Sequence, residues 1–288
     1  MIKKISNGVI EVWVNPIGAE LYRIQKGGRD YLWNGDDALW AQRAPMLFPI
    51  VGQQKGDCVV TSGREYHIPK HGFLMQTFFN TLAHTEDTLL LRTVSSDETR
   101  KMYPFNFQID VKFQLKAATL HQDIIIHNTG KEEMVYGLGL HPGFMVADDG
   151  DHFAKCSLDF HQDLTLLRPS LTADFQWDFN RRILVRTQNG ILPLNDEIFD
   201  GKPIILDMLD SNRVTAYRND GKALFDYCFS GFRYFAMWHA NHAPFLCLEP
   251  WTSHSAFLPS CTCLEDNPTM CRLHPGCEDT YHTELIMH

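Results

Sequence analysis

The segment FNFQIDVKF, at residues 105–113, alternates apolar and polar side chains along its whole length. A period of two is typical of a β-strand that turns one face to a core and the other to solvent. Similar short runs, rich in β-branched and aromatic residues, occur at 9–14, 88–92 and 124–126. Turn-forming pairs that tolerate positive φ separate such runs, among them Asn7-Gly8, Gly27-Gly28, Ser62-Gly63 and Asn189-Gly190. The pattern predicts an all-β chain.

The rest of the chain carries no long stretch with the 3.6-residue period of an amphipathic helix, so helix is expected to be minor. Hydrophobic residues make up 44% of the 288 residues, which is enough for a substantial core. We find no internal repeat, low-complexity tract or Ser/Gly/Pro linker. The sequence therefore predicts one antiparallel sandwich or barrel domain over residues 1–288.

The charge balance argues against several partners. Lys and Arg number 26 against 35 Asp and Glu, a net charge of −9, and no basic cluster is present, so nucleic-acid binding is not expected. The longest uncharged stretches contain Gly, His, Asn or Pro and fall short of the roughly 20 apolar residues of a membrane span, so no membrane partner is expected either. The first residues lack the apolar segment of a secretion signal, and a cytoplasmic location is expected.

The chain has eight cysteines. In a cytoplasmic protein of this length thiols stay reduced and a core forms without crosslinks, so no structural disulfide is expected. Residue types that bind zinc gather near the C-terminus: Cys261, Cys263, Cys271, His274, Cys277 and His282. Their spacing, C-x-C and C-x(5)-C, differs from the C-x-x-C and H-x(3–5)-H pairs of structural zinc sites. No metal site is predicted there.

Two histidines stand in unusual surroundings. Gly72 follows His71 and removes bulk beside the imidazole, which lets another group approach closely. Pro142 biases His141 toward an extended conformation, and glycines at 137, 139 and 143 leave space around it. Both are candidate site residues; the alternatives are a turn histidine bonded to a carbonyl and a core histidine with its hydrogen bonds satisfied.

Glu249 follows four apolar residues at 245–248 and precedes Pro250, which keeps it extended. A buried carboxylate without partners costs several kcal/mol or takes up a proton, so Glu249 is a candidate general base or acid. The alternative is a strand-end carboxylate that faces solvent or pairs with an arginine. Arg43 stands before a Pro-punctuated apolar segment, where its fork of donors could bind vicinal hydroxyls or a phosphate, or could form a structural salt bridge.

Five blocks occur in chain order: NPxGAEL at 15–21, RxPxLFPIVG at 43–52, YxIPxHGF at 66–73, HPxF at 141–144 and APFxCLEPW at 243–251. Together they resemble the aldose 1-epimerase (mutarotase) superfamily, and more narrowly its shorter LacX-like branch. The resemblance covers nearly the whole chain. It implies a large antiparallel β-supersandwich of the galactose mutarotase type, which binds a small-molecule sugar and interconverts its α and β anomers without a metal or an organic cofactor.

Carried over by the resemblance, Glu249 would be the base and His141 the acid of ring opening, and His71 would hydrogen-bond near the reacting carbon. Arg43 would bind substrate. Independently of the resemblance, Trp251 lies beside Glu249 in the sequence and its aromatic face suits the apolar C–H face of a sugar ring; a plain core position is the alternative. A substrate-binding aspartate is also implied, but the positions beside Ile204 are Lys202 and Pro203, so the nearest candidate is Asp200. The chain departs from the pattern after Trp251 and at Gly52-Gln53, where Gly-Arg is common.

Two other functions remain open at this stage. A non-catalytic carbohydrate-binding or sensor protein could keep the cleft without turnover, and the altered segment after Trp251 is compatible with it. A glycoside-processing enzyme would use two carboxylates beside the scissile bond, and only Glu249 has a convincing setting. The sequence indicates neither the sugar nor the oligomeric state.

Overall fold

The computed structural model of the protein describes residues 1–147, 152–172, 177–199, 201–207, 209, 211–254 and 263–288. Within these ranges the chain is almost entirely β-structure, as the alternating patterns predict. The strands, in chain order, are β1 Lys3–Ser6, β2 Ile10–Asn15, β3 Glu20–Lys26, β4 Arg29–Asp30, β5 Met46–Leu47, β6 Cys58–Thr61, β7 Arg64–His67, β8 Asn80–His84, β9 Thr88–Val94, β10 Phe107–Lys116, β11 Thr119–Asn128, β12 Met134–Tyr136, β13 Gly139–Leu140, β14 Gly143–Met145, β15 Ser157–Asp159, β16 Thr165–Leu171, β17 Trp177–Arg186, β18 Ile191–Pro193, β19 Ile204–Asp207, β20 Arg213–Tyr217, β21 Ala223–Ser230, β22 Tyr234–Trp238, β23 Phe245–Trp251, β24 Cys271–Leu273 and β25 Glu278–Met287.

Helical structure in the described ranges is limited to short pieces. These are α1 Asp97–Met102, α2 Asp196–Phe199 and three 3₁₀ turns at Lys55–Asp57, Leu74–Gln76 and Phe153–Lys155. Ser96 begins α1 with a capping box: its hydroxyl accepts from the Thr99 amide while the Thr99 side chain accepts from the Ser96 amide. Neither α-helix of the described chain has the length and apolarity that crossing a bilayer requires.

Three sheets of the described residues make up most of the molecule. The largest has nine strands in the order β18-β15-β20-β21-β25-β11-β10-β9-β8. A second runs β19-β22-β23-β13-β5, with β14 also paired to β23, and a third runs β1-β2-β3-β4. The strand pairs of these sheets are antiparallel. The fold is therefore the predicted large antiparallel β-sandwich.

The hairpin of β10 and β11 shows how the sequence pattern becomes a sheet face. Residues pair from Phe107 with Asn128 to Lys116 with Thr119. Apolar side chains of β10 at alternate positions are fully buried, among them Ile109, Val111 and Phe113. The period-two run predicted at 105–113 is thus the inward face of β10, although the strand begins two residues later and continues to Lys116.

The core lies between the nine-stranded and six-stranded sheets. Phe144 of β14 lies 5.0 Å, between ring centroids, from both Phe225 and Tyr227 of β21. Phe235 of β22 stacks on Phe229 of β21 at 4.9 Å. The largest buried cluster contains residues from near both ends of the chain, among them Ile5 and Met287. The single domain over 1–288 stays a prediction. None of the seven cysteines in the described ranges forms a disulfide.

Candidate active site

A cavity of about 390 Å³ opens at the six-stranded sheet, beside β22 and β23. Its walls combine titratable groups with three tryptophans, a composition typical of small-molecule sites. The lining residues are Trp40, Gln42, Val51, Gly52, Lys70, His71, Met75, His141, Leu171, Gly201, Pro203, Ile205, Trp238, Glu249, Trp251 and His254.

Glu249 occupies a buried interior position of β23, between Leu248 and Pro250, and not the solvent-facing strand end that was the alternative. Successive side chains of a strand point to opposite faces, so Cys247, Glu249 and Trp251 share one face. Glu249 pairs with Ala236 of β22. Its side chain is 1% exposed and lines the cavity, so the cavity wall holds a deeply buried carboxyl group.

His141 reaches the same point from a different part of the chain. It follows β13, and its amide donates to the carbonyl of Pro45 at 3.1 Å. Its Nε2 lies 3.2 Å from Oε2 of Glu249, and its side chain is 13% exposed. The structure thus brings together the two residues that the resemblance assigned as acid and base.

His71 stands across from this pair, with its ring centroid 5.9 Å from that of His141. Its Nδ1 accepts a hydrogen bond from the Gly52 amide at 3.1 Å. Because Nδ1 accepts, the proton of the neutral ring is on Nε2, and the ring offers an N–H donor to the cavity. Gly72 is required next to it: its φ is +78°, and a Cβ there would collide with the carbonyl group of Phe48.

The glycines around His141 make room for protein side chains and not for a ligand. The sequence suggested that they leave space for a ligand, but protein side chains fill that space. A Cβ on Gly139 would lie 2.9 Å from Trp251, and one on Gly143 would lie 2.9 Å from Trp40. These glycines let two cavity-lining tryptophans pack closely against the strands.

Buried polar atoms without partners mark the reactive corner. Among the described residues, neither carboxylate oxygen of Glu249, nor Nδ1 of His141, nor the indole nitrogen of Trp251 makes a hydrogen bond of acceptable geometry. Buried polar groups are nearly always bonded, so unpartnered ones in a cavity indicate where ligand groups bind. A cation could also be held here, since His141, Cys247 and Glu249 bring three ligand atoms within 4.8 Å of one another.

Burial shifts the protonation of the pair in opposite directions. Desolvation raises the pKa of Glu249 well above its ordinary 4.5, although the nearby Trp251 indole and the Lys70 ammonium oppose the shift. Desolvation lowers the pKa of His141 from 6.5 to about 3, and the positive charge of Lys70 adds to it. Burial therefore favours a pair that carries one proton in total and can pass it between carboxylate and imidazole.

Burial also lowers the pKa of two other basic groups of the cavity. Burial, with smaller contributions from His141 and Lys70, lowers the pKa of His71 well below its ordinary 6.5. Burial also lowers the pKa of Lys70, and the Glu249 carboxylate partly restores it. Two neutral imidazoles and one carboxyl group are the groups that general acid–base chemistry near neutral pH uses.

Of the three substrate-binding candidates from the sequence, only Trp251 is among the described residues that line the cavity. Trp251 lines the cavity, as proposed. The Arg43 side chain is not among the lining residues; its Nη1 donates to the carbonyl of Tyr22 at 3.0 Å and its guanidinium lies 3.9 Å over the Tyr22 ring. The Arg43 backbone carbonyl accepts from Gly143, so this residue supports the segment that carries His141. Asp200 lies outside the described residues, although its neighbour Gly201 lines the cavity.

Sequence reasoning missed several cavity residues. Trp40 lies 5.0 Å from the His141 ring and 5.6 Å from Trp238. Lys70 and Gln42 also line the cavity. Lys70 directly precedes His71 and Gln42 directly precedes Arg43, so proximity in sequence to the chosen residues was the available signal.

The chain is similar to known proteins over most of its length. Residues 2–260 match the profile of the aldose 1-epimerase family. The plasmid-encoded protein LacX of Lactococcus lactis subsp. lactis is 28% identical over 286 residues, which cover 96% of this chain and 95% of that protein.

Solved structures agree over the full length. A galactose mutarotase related enzyme from Lactobacillus acidophilus superimposes with a TM-score of 0.90 at 28% identity, covering 100% of this chain and 97% of that one. A galactose mutarotase-like protein from Lactobacillus casei ATCC 334 has the same fold, with a TM-score of 0.87 at 21% identity and complete coverage of both chains. Because the family profile matches residues 2–260, most of its length, the chain belongs to the aldose 1-epimerase family.

Proposed function

We propose that this protein is an aldose 1-epimerase that interconverts the α and β anomers of an aldohexose or a related sugar. The observation that supports it most strongly is the 3.2 Å separation of His141 Nε2 and Glu249 Oε2 inside the cavity. The ring oxygen and the anomeric hydroxyl of a pyranose are bonded to the same carbon. An acid and a base side by side can therefore act on both oxygens at once.

The reaction needs only proton transfers. The Glu249 carboxylate takes the proton of the C1 hydroxyl, the C1–O5 bond breaks as C1 becomes a carbonyl, and the His141 imidazolium gives its proton to O5. Rotation about C1–C2 presents the other carbonyl face, and closure returns each proton to its donor. The working form, carboxylate with imidazolium, holds one proton in total, the same number that burial favours in the free pair.

The other cavity residues position the sugar in this proposal. His71 donates its Nε2–H to an oxygen beside the reacting carbon, since Nδ1 is occupied by the Gly52 amide. Trp40, Trp238 and Trp251 offer aromatic faces to the apolar C–H faces of the ring. A cavity of about 390 Å³ is at the small end of ligand sites, which favours a monosaccharide. Arg43 receives no substrate contact.

The test follows optical rotation, or saturation transfer between anomeric protons by NMR, with freshly dissolved α-glucose, α-galactose and hexose 6-phosphates. We expect the protein to accelerate relaxation of at least one sugar, and Glu249→Gln to reduce the enzymatic excess by at least ~100-fold, in the range seen for loss of a general base. Glu98→Gln, at an exposed residue of α1, is the control and should retain full activity.

The opposite outcome is clear. If folded protein leaves every sugar at the buffer rate, the epimerase proposal fails. Sugar-dependent thermal stabilisation under those conditions would instead indicate a carbohydrate-binding or sensor protein.

A further inference from the structure

A second cluster of titratable side chains lies on the outer face of the nine-stranded sheet. His121 of β11 pairs across the strands with Glu284 of β25, and His282 lies two residues from Glu284 on the same face. One ligand atom from each lies within 4.8 Å of the others. The alternate positions of both strands, such as Leu120 and Thr283, are buried toward the core, so the sheet separates this cluster from the cavity.

The distances within the cluster suit a tetrahedral cation. Oε1 of Glu284 lies 3.1 Å from Nδ1 of His121 and 3.1 Å from Nε2 of His282. In a tetrahedral zinc site with metal–ligand bonds of about 2.0–2.2 Å, neighbouring ligand atoms are roughly 3.3–3.6 Å apart. A shift of a few tenths of an ångström would open the cluster enough to admit Zn²⁺.

A supporting hydrogen bond completes the arrangement. Nδ1 of His282 lies 2.6 Å from Oδ1 of Asp123, the residue opposite it on β11. Metal-bound histidines generally donate their second ring nitrogen to a carboxylate or carbonyl, which orients the ring and strengthens the ligand nitrogen. Asp123 is placed to do this, because it leaves Nε2 of His282 directed at Glu284.

We propose that His121 Nδ1, His282 Nε2 and Glu284 Oε1 form a site for a Zn²⁺-class divalent cation, with Asp123 as the orienting carboxylate. Imidazole and carboxylate ligands favour Zn²⁺, Ni²⁺ or Cu²⁺ over Mg²⁺, which prefers oxygen ligands alone. The three side chains are 18–32% exposed, so a cation enters from solvent and keeps a position for water. Bound metal would link β11 to β25, the C-terminal strand.

His282 belongs to the C-terminal group of Cys and His residues in the sequence, but the proposed site pairs it with His121 and Glu284 and with no other member of that group. His274 lies beside Glu133 and Cys271 lies near the Tyr281 hydroxyl. Cys261 is outside the described residues. The two strands, and not the spacing of the C-terminal segment, create the site.

The experiment is calorimetric titration of the tag-free, metal-stripped protein with Zn²⁺, together with thermal unfolding in Zn²⁺ or Mg²⁺. We expect one Zn²⁺ per chain at this site and a rise in Tm that Mg²⁺ does not produce. His121→Gln should weaken Zn²⁺ binding at least ~10-fold, and Asp123→Asn should weaken it ~10–100-fold, the usual loss for a supporting carboxylate. His274→Gln, at an exposed histidine, is the matched control and should bind like the wild type.

Unchanged Zn²⁺ affinity in His121→Gln, or the absence of Zn²⁺ binding to the wild type, would overturn the proposal. Co²⁺ gives an independent reading, because a four-coordinate site produces much stronger visible absorption than aqueous Co²⁺. That absorption should be present in the wild type and lost in His121→Gln. These readouts measure metal binding alone, so they stand or fall separately from the epimerase proposal.

Discussion

Glu249→Gln should abolish anomer interconversion and at the same time stabilise the fold at alkaline pH. The amide matches the carboxyl group in shape and is never charged. Wild-type folding at pH 8 must either bury an ionised carboxylate or take up a proton, because burial raises the pKa of Glu249 above the 4.5 of the unfolded chain. Both alternatives cost free energy that the glutamine avoids.

The structure sets the size of this effect. The Glu249 side chain is 1% exposed and its oxygens accept no well-formed hydrogen bond from the described residues. A charged group left buried without a hydrogen bond costs more than a neutral one, and we take this difference between carboxylate and amide as ~1–3 kcal/mol. At ~2 °C per kcal/mol for a chain of this length, Glu249→Gln should raise Tm by ~2–6 °C at pH 8.

The pH dependence gives the sign. A carboxyl group with a raised folded-state pKa destabilises the fold at high pH. This penalty is lost as the pH falls through that pKa toward 4.5, and below 4.5 both states carry the proton. The gain of Glu249→Gln should therefore shrink from pH 8 to pH 4.5. Calorimetry at the two pH values measures it, with the exposed Glu98→Gln as control. A variant less stable than wild type at pH 8, beside an unchanged control, would show that the carboxylate has a stabilising partner and would refute the reasoning.

Three further predictions concern other parts of the structure. Burial lowers the pKa of His141 from 6.5 to about 3, so between these values only the unfolded chain takes up the proton, and the folded protein should lose ~2 kcal/mol of stability from pH 6.5 to about pH 5. Urea unfolding should show a smaller loss over this pH range for His141→Gln, and an equal loss would contradict the prediction. Trp40→Ala should raise KM for the sugar ~2–10-fold with little change in kcat, because its ring lies beside His141 in the cavity wall. The control Trp13→Ala, on β2, should leave KM unchanged, and equal KM values for the two variants would show that Trp40 does not contact the sugar. Gly72→Ala should lower the free energy of unfolding by ~2–5 kcal/mol, because φ is positive there and a Cβ would also collide with the Phe48 backbone. Gly63→Ala should lower it by only ~1–2 kcal/mol, because φ is positive but no atom lies near the new Cβ. If chemical denaturation gives the two variants similar losses of unfolding free energy, the backbone around residue 72 moves to accommodate the Cβ and the collision does not determine the cost.

Much of the fold could be predicted because its cause is local. The alternation at 105–113 follows from the two-residue period of a strand with one buried face, and β10 shows that face fully buried. Glu249 and His141 could be selected because each is a polar residue in an apolar, extended context. The five ordered blocks then identified the family, which the comparisons confirm.

Long-range pairing decided the rest. The Arg43 side chain packs against Tyr22 outside the cavity, whereas Lys70 and Trp40 line it. Residue type alone does not distinguish these positions. Asp123 and His282 stand 159 positions apart in the chain and meet only because β11 and β25 are neighbours in register.

The sequence by itself determined which segments are strands, where they turn and which polar residues are out of place in them, because these depend on the side chains of a few adjacent residues. The tertiary structure alone decided which of those residues face one another, because strand order and register join distant segments and no local period encodes them.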